Sequence, residues 1–96
     1  MDADVDVAQW DAGAAAELPG VGATMRQVFV PAGRVAARHS HPHEQFLRVL
    51  SGAAVLECAA GRVELRAGTA IRFAPGAWHS AVFSEDTVLV ELNVKM

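Results

Sequence analysis

The chain has 96 residues, enough for one domain that buries about two-thirds of the surface exposed by its unfolded form. Hydrophobic residues make up 52%, charged residues 20%, and the formal net charge is −3, as in ordinary soluble globular domains. With 8 Lys and Arg against 11 Asp and Glu, and no basic cluster, the sequence has no surface suited to nucleic acid or anionic lipid. We therefore predict that neither is a partner.

The start of the chain and its single cysteine bear on where the protein works. Residues 1–20 are acidic and lack both the positive region and the apolar run of a secretory signal. No window approaches the roughly 18 apolar residues of a membrane span. Cys58 has no partner for an internal disulfide, which fits a reducing compartment, and a small buried thiol in a strand is its simplest interpretation. These features predict a cytoplasmic protein.

Residues 1–24 form a predicted N-terminal arm that differs in composition from the rest of the chain. The arm is rich in Ala and Asp, and Val5 and Val7 indicate an edge strand followed by a loop. Two interpretations stay open for this arm: partial disorder, or pairing with a neighbouring subunit.

Residues 25–96 have the pattern of a barrel made only of strands. Short runs rich in Val, Leu, Ile and Phe alternate with connections containing Gly or Pro at intervals of about 8 to 12 residues. The predicted strands are MRQVFV, RVAARHSH, EQFLRVL, AAVLECA, RVELR, AIRFA, HSAVF and TVLVELNV. Short antiparallel strands hide their apolar faces and edges by closing on themselves, so we predict an all-β antiparallel barrel or double sheet.

Alternation within a strand predicts which side chains enter the barrel, because successive residues point to opposite faces. The predicted inward residues are Val35, Ala37, His39 and His41 on one strand, Val63 and Leu65 on a later one, and Val88, Val90, Leu92 and Val94 on the last. Two histidines thus share a face with the core. A buried imidazole there needs a hydrogen-bond partner or a metal.

The stretch HSHPHEQ, residues 39–45, holds three of the four histidines of the chain. One residue separates His39 and His41, so in a strand both rings point the same way, about 7 Å apart along the backbone. Gln45 has the same inward parity on the next strand, and His79 can approach from across the barrel. Three imidazoles and one amide oxygen suit a single divalent transition-metal ion, namely Zn, Mn, Fe, Ni, Co or Cu.

Other interpretations apply to the neighbours of these residues. Glu44 could replace Gln45 as a ligand, but its parity turns it away from the histidine pair. His43 follows a bend and is predicted to lie exposed at the rim of the mouth. A pair of histidines at this spacing is by itself more often a pair of exposed polar side chains than a metal site, so the prediction rests on all the segments together.

Two sets of residues follow recognisable spacings. The first is Gly33, five residues, His39, one residue, His41, three residues, Gln45, six residues and Gly52. The second is Gly68, five residues, then APGAWH, which carries Gly76 and His79. Both sets resemble the two motifs of the cupin superfamily, and together they span residues 33–83. This resemblance implies a jelly roll, or double-stranded β-helix, and a capacity to bind metal.

The chain departs from the usual cupin motifs at three places. Gln45 replaces the usual Glu, Ala74 precedes Pro75 where the motif has Pro first, and Phe83 replaces a closing Asn. Small cupins with Gln beside three His include proteins that convert unsaturated uronates to open-chain keto forms and dioxygenase-like proteins, and the sequence is similar to these. A neutral Gln leaves the ion its full +2 charge and makes it a stronger Lewis acid.

The rest of the cavity wall is predicted to be largely apolar. Trp78 sits near its rim, where it can pack or act as a lid, and Arg26 is the one cation whose parity points inward, with a snorkelling or interface position as the alternative. The predicted pocket residues are Arg26, Val28, Leu47, Phe73, Trp78, Ala81 and Phe83. No side-chain acid or base is evident inside the barrel, so the ion and its water would do most of the chemistry.

The sequence predicts a metal-dependent enzyme on a small oxygen-rich molecule, by non-redox isomerisation or cyclisation or by oxygenation. The alternative is a non-catalytic cupin that binds a small ligand or metal for sensing or sequestration. A barrel used only for assembly is disfavoured by the retained ligands. Phe46, Arg48 and Leu50 leave apolar surface on the outside of a monomer, which predicts a homodimer.

Overall fold

Strands account for all the regular structure in residues 5–96, the part of the chain that the computed structural model describes. In chain order they are β1 (Ala16–Pro19), β2 (Ala23–Val30), β3 (Val35–His39), β4 (Gln45–Ser51), β5 (Ala53–Cys58), β6 (Gly61–Arg66), β7 (Ala70–Phe73), β8 (His79–Phe83) and β9 (Thr87–Val94). Each of the eight predicted strands is present, as β2 to β9, which confirms the all-β prediction. Within this range the structure contains no helix that could cross a bilayer.

The strands form two sheets whose order alternates between distant parts of the chain. One sheet has the order β1-β2-β9-β4-β7 and the other β3-β8-β5-β6. The chain therefore passes repeatedly from one sheet to the other, as in the jelly roll that was predicted. This crossing brings β3 beside β8, and with it two segments that are far apart in sequence.

Apolar side chains from both sheets meet between them. Val49 is 1% exposed, Leu65 is buried, and Val63 packs against the same cluster, so the inward parity predicted for β6 is confirmed. Burying one such side chain stabilises the fold by about 1.5–3 kcal/mol. The buried hydrophobic residues are Val30, Val49, Ala54, Leu56, Leu65, Phe73, Ala81, Phe83 and Leu89.

The inward face of β9 is the opposite of the predicted one. Leu89 is buried, and both Leu89 and Glu91 line the internal cavity, whereas Val90 and Leu92 line a surface groove beside Phe46. Both faces of β9 carry apolar residues, so alternation did not distinguish them. The more apolar set lies outside, and the inner set brings a carboxylate into the cavity.

A bulge resets the parity of β3. From Ala36 to His39 the strand advances three residues while its partner β8 advances two, so one residue of β3 is extra. Ala36 packs against the core, while Val35 is 65% exposed and Ala37 is also exposed. The prediction that Val35 and Ala37 face inward is wrong, because the extra residue moves them to the other face.

The N-terminal arm pairs within its own chain. β1 runs antiparallel to β2, and the buried Gln27 donates from Nε2 to the carbonyl oxygens of Asp11 and Ala14, at 2.8 and 2.9 Å. Val5 and Val7 are exposed and lie outside any strand. The edge strand predicted there is thus misplaced, because β1 already occupies the free edge of β2. The division of the chain at residue 24 stays a prediction.

The connection between β4 and β5 requires glycine. Gly52 has φ +100°, in the region that favours glycine, and a Cβ there would lie 2.6 Å from Thr87 Cα and against the carbonyl oxygen of Asp86. Thr87 is fully buried and begins β9. The turn therefore packs directly on the start of the strand that runs through the middle of the larger sheet.

We predict that Gly52→Ala lowers the free energy of unfolding by at least about 2 kcal/mol, since a left-handed φ costs an L-residue about 1–2 kcal/mol and the methyl group must also displace backbone. Equilibrium unfolding in urea measures the loss. Gly33→Ala is the matched control, because Gly33 has φ +89° but its Cβ would meet no atom of residues 5–96 within 4 Å. Equal losses in the two variants would contradict the steric argument.

Candidate metal centre

Three histidines from two strands and one loop converge on one point. His39 ends β3, His41 follows it in the loop, and His79 begins β8 directly opposite His39 in the register. The nitrogens that they can offer as ligands all lie within 4.8 Å of one another. An ion bound by imidazoles sits about 2.0–2.1 Å from each nitrogen. The three side chains are therefore positioned to bind one metal ion.

The loop that carries His41 is tied to the turn before β8. Residues 74–77 form a turn in which Ala77 N donates to Ala74 O at 3.0 Å, with Pro75 and Gly76 (φ +80°) at its centre. Gly76 N then donates to His41 O at 2.7 Å. This contact joins the two motifs, so the backbone holds His41 beside the start of β8.

Backbone carbonyls orient two of the three rings. His39 Nδ1 lies 2.7 Å from Ala37 O, and His79 Nδ1 lies 3.3 Å from Ala77 O, the carbonyl two residues earlier in each case. A carbonyl only accepts, so Nδ1 donates its proton and leaves Nε2 with a free lone pair. That tautomer is the one that binds a metal through Nε2. The donor set therefore fits a bound ion.

The electrostatics of the site favour neutral imidazoles. Burial lowers the pKa of His41, the neighbouring His39 and His43 lower it further, and Glu91 opposes them. Burial also lowers the pKa of His79, which is 6% exposed, against the effect of its hydrogen bond to Ala77. A neutral ring keeps its lone pair for a metal, so these pKa shifts favour metal binding near neutral pH.

Gln45 lies beside the histidines and is buried. Its side chain is 6% exposed and lines the same cavity as the three rings. Its Nε2 donates to Asn93 Oδ1 at 2.9 Å, across the pairing of β4 with β9. Glu44, the alternative ligand, instead forms an ion pair with Arg72. Of Gln45 and Glu44, only Gln45 lines the cavity.

Glu91 is a carboxylate in the cavity wall that the sequence analysis missed. Its side chain is 17% exposed, lies close enough to His41 to raise the pKa of that ring, and forms an ion pair with Arg26 at 3.6 Å. Alternation points away from it, because Val88, Val90 and Leu92 make the other face of β9 the more apolar one. A signal was present in the sequence, since Glu91 stands two residues after Leu89 and therefore shares its face.

The cavity has a volume of about 230 Å³, and its walls are mostly apolar apart from the histidines, Arg34, Gln45 and Glu91. Four of the predicted pocket residues line it, namely Val28, Leu47, Ala81 and Phe83. Phe73 lies behind His79, with stacked rings whose centroids are 4.0 Å apart. This stack supports the ring of His79 from its apolar side.

The other predicted pocket and rim residues are not among those that line the cavity. Arg26 forms ion pairs with Glu17 and Glu91 and is about half exposed. Trp78 lies under the guanidinium of Arg38, 4.0 Å from the ring centroid. His43 is half-buried, its ring centroid is 5.1 Å from that of His41, and its Nε2 is buried without a hydrogen-bond partner among residues 5–96.

Comparison with known proteins identifies the family. The model of the cupin domain family matches residues 25–95, so the chain belongs to the cupin family. None of the curated proteins matches it. Its fold is similar to that of a cupin protein from Bacteroides fragilis, with a TM-score of 0.79, 26% identity, and coverage of 94% of this chain and 83% of that one.

Two further solved structures share the fold at lower identity. KdgF from a Halomonas species is 21% identical with a TM-score of 0.74, covering all of this chain and 94% of that one. The DMSP lyase DddQ from Ruegeria pomeroyi is also 21% identical, with a TM-score of 0.74 and coverage of 85% of this chain. The chain spans 46% of the length of that lyase. Likeness at this level establishes the fold.

We predict that the metal-free protein loses stability as the pH falls from about 7.5 to about 5.5. The folded-state pKa values of His41 and His79 lie below the ordinary 6.5, so below that pH the unfolded chain binds more protons and is favoured. Urea midpoints measured across this range in the presence of a chelator test the sign. The double variant His41→Gln/His79→Gln should show a smaller decline, and an equal decline would contradict this assignment.

Proposed function

We propose that this cupin is a metal-dependent enzyme acting on a small oxygen-rich molecule, with the ion held by His39, His41, Gln45 and His79. The observation that most supports this proposal is the convergence of three imidazoles in the wall of one cavity. Backbone carbonyls orient two of them. Three His and one amide are a borderline donor set that suits Zn, Mn, Fe, Ni, Co or Cu. The resemblance of the motifs to small Gln-containing cupins supports the same ligands.

The bound ion would supply Lewis acidity, polarising a carbonyl or hydroxyl oxygen of the substrate or acidifying a bound water. All four proposed ligands are neutral, so the ion keeps its full charge. The cavity of about 230 Å³ admits a molecule of modest size. Its mostly apolar walls lower the local dielectric constant and strengthen the electrostatic interactions inside it.

Glu91 gives the cavity a group that can take up and return a proton. It lies on the inner face of β9, close enough to His41 to affect that ring, and forms an ion pair with Arg26 at 3.6 Å. Isomerisation or cyclisation of a hydroxy-carbonyl compound needs such a proton transfer. Glu91 therefore favours the non-redox branch over oxygenation. It also favours a catalytic role over simple ligand storage.

The second candidate is a non-catalytic cupin that binds a small ligand or a metal for sensing or sequestration. The same histidines and cavity serve it, and the fold admits both roles. DddQ, which carries the fold, is named as a lyase, so chemistry is compatible with this barrel. The metal found after native purification separates the two enzyme branches, non-redox chemistry and oxygenation, because Fe or Cu favours oxygenation and Zn disfavours it.

The metal assignment predicts that purified His41→Ala contains less than half of the metal per chain found in the wild type, because one of the three convergent imidazoles is gone. Elemental analysis measures the ion per chain. Val82→Ala, on the outer face of β8 and 52% exposed, is the control and should keep the wild-type content. Full metal content in His41→Ala would place the site elsewhere.

The enzyme branch has its own assay, which uses an unsaturated uronate as the probe. Loss of its conjugated absorbance should be faster with metal-loaded wild type than with His41→Ala. Glu91→Gln should keep the metal but slow the reaction, because the amide cannot accept the proton. A wild type that binds metal but leaves this probe unchanged would direct attention to other substrates or to the non-catalytic candidate.

Our proposal includes a homodimer formed through the outer face of the larger sheet. Phe46 and Leu50 are 38% and 48% exposed there, and Phe46 lines an outer groove with Val90 and Leu92. Apolar surface of this kind favours a two-fold interface.

A cytoplasmic location stays a prediction from the composition and from the free thiol of Cys58.

Light scattering at low micromolar concentration should give twice the chain mass of 10.1 kDa for the wild type. The double variant Phe46→Arg/Leu50→Arg should approach the single-chain mass, because it places charges on both copies of the interface. Val82→Arg, a charge on the outer face of the other sheet, should stay dimeric. A wild-type protein at 10.1 kDa would rule out the dimer.

A further inference from the structure

Gln45 and Asn93 form a hydrogen-bonded pair next to the three histidines. They are direct partners across β4 and β9, with Gln45 Nε2 donating to Asn93 Oδ1 at 2.9 Å. Gln45 is nearly fully buried and lines the cavity that the histidines line. The amide is therefore held by one neighbour and lines the same cavity as the candidate metal centre.

Whether an amide side chain can bind a metal ion depends on which of its two ends faces the ion. The carbonyl oxygen has lone pairs to donate, whereas the NH₂ group has only protons to offer. Since the two ends have nearly the same shape, packing alone does not select between them. A hydrogen-bond acceptor on one side does, because it attracts the NH₂ group and leaves the oxygen free, and Asn93 turns its Oδ1 toward Gln45.

We propose that Asn93 is a positioning residue that holds Nε2 of Gln45 and so presents Oε1 to the bound ion. The inference rests on the proposed function, because it takes Gln45 as the fourth ligand. Backbone carbonyls orient His39 and His79 in the same way. For Gln45 the orienting group is a side chain, and substitution can therefore test it. Loss of such an outer partner costs about 10–100-fold in metal affinity at other metal sites.

The experiment measures Zn²⁺ affinity of metal-free protein by competition with a chromophoric chelator. The variants are Asn93→Leu, Gln45→Leu and the double substitution. Asn93→Leu should weaken Zn²⁺ binding by about 10-fold or more. In the Gln45→Leu background the same change should have less than about a twofold effect, because the group that Asn93 positions is absent. Thr24→Val, on the other register neighbour of Asn93, should leave the affinity unchanged.

Asn93→Asp provides the rescue, since a carboxylate also accepts a hydrogen bond from Gln45 Nε2. It should keep Zn²⁺ affinity at or above the wild-type level. The effect of its added charge is measured separately in the Gln45→Leu background. A residue needed only for folding would not show this pattern of loss, rescue and dependence on Gln45.

The outcomes separate this inference from the proposed function. If Asn93→Leu matches the wild type, or weakens Zn²⁺ binding equally in both backgrounds, the positioning role is wrong and the histidine centre stands. If Gln45→Leu itself has wild-type affinity, Gln45 is not a ligand and the inference also fails. If the wild type binds no Zn²⁺, or His41→Ala binds it equally well, the proposed metal centre fails first.

Discussion

The antiparallel pairing of β3 with β8 is the contact on which the candidate metal centre depends. It sets His39 opposite His79 in the register, and the bulge before His39 determines which face the ring occupies. In a regular strand, residues 36 and 39 would point to opposite faces. With Ala36 facing the core, His39 would therefore face outward without the extra residue. The backbone hydrogen bond from Gly76 to His41 then brings the third ring into place. The geometry is thus fixed mainly by main-chain interactions.

The inner face of the larger sheet changes character along its strands. Along β9, the apolar Leu89 comes first, and its neighbours in the register are apolar. Glu91 follows and pairs with Arg26, and Asn93 comes last and pairs with Gln45. Apolar burial beside Leu89 contributes to stability, whereas the polar rows need partners to offset the loss of water. Those polar groups are matched to one another, which allows a polar site in a small core.

Much of the fold could be predicted from the sequence, because connections that contain Gly or Pro separate the eight apolar runs that form strands. Short-range alternation favours a common face for His39, His41 and His79, although the bulge sets the face of His39 and His41 lies in the loop after β3. It failed for Val35, since a bulge leaves no mark in hydrophobic alternation, and for β9, where both faces are apolar. The second failure concealed Glu91. The pairing of Gln45 with Asn93 needs the register between distant strands, which single-sequence periodicity does not contain.

The position of Trp78 provides the protein with an optical reporter. Trp78 precedes His79 in the chain, and its indole lies against Arg38, the residue before His39. Indole fluorescence is sensitive to nearby charge and to transition metals with partly filled d shells. The only other tryptophan, Trp10, lies in the N-terminal arm outside the strands and can be removed by Trp10→Phe. The emission of Trp78 then follows events at the two ligand-bearing segments without an added label.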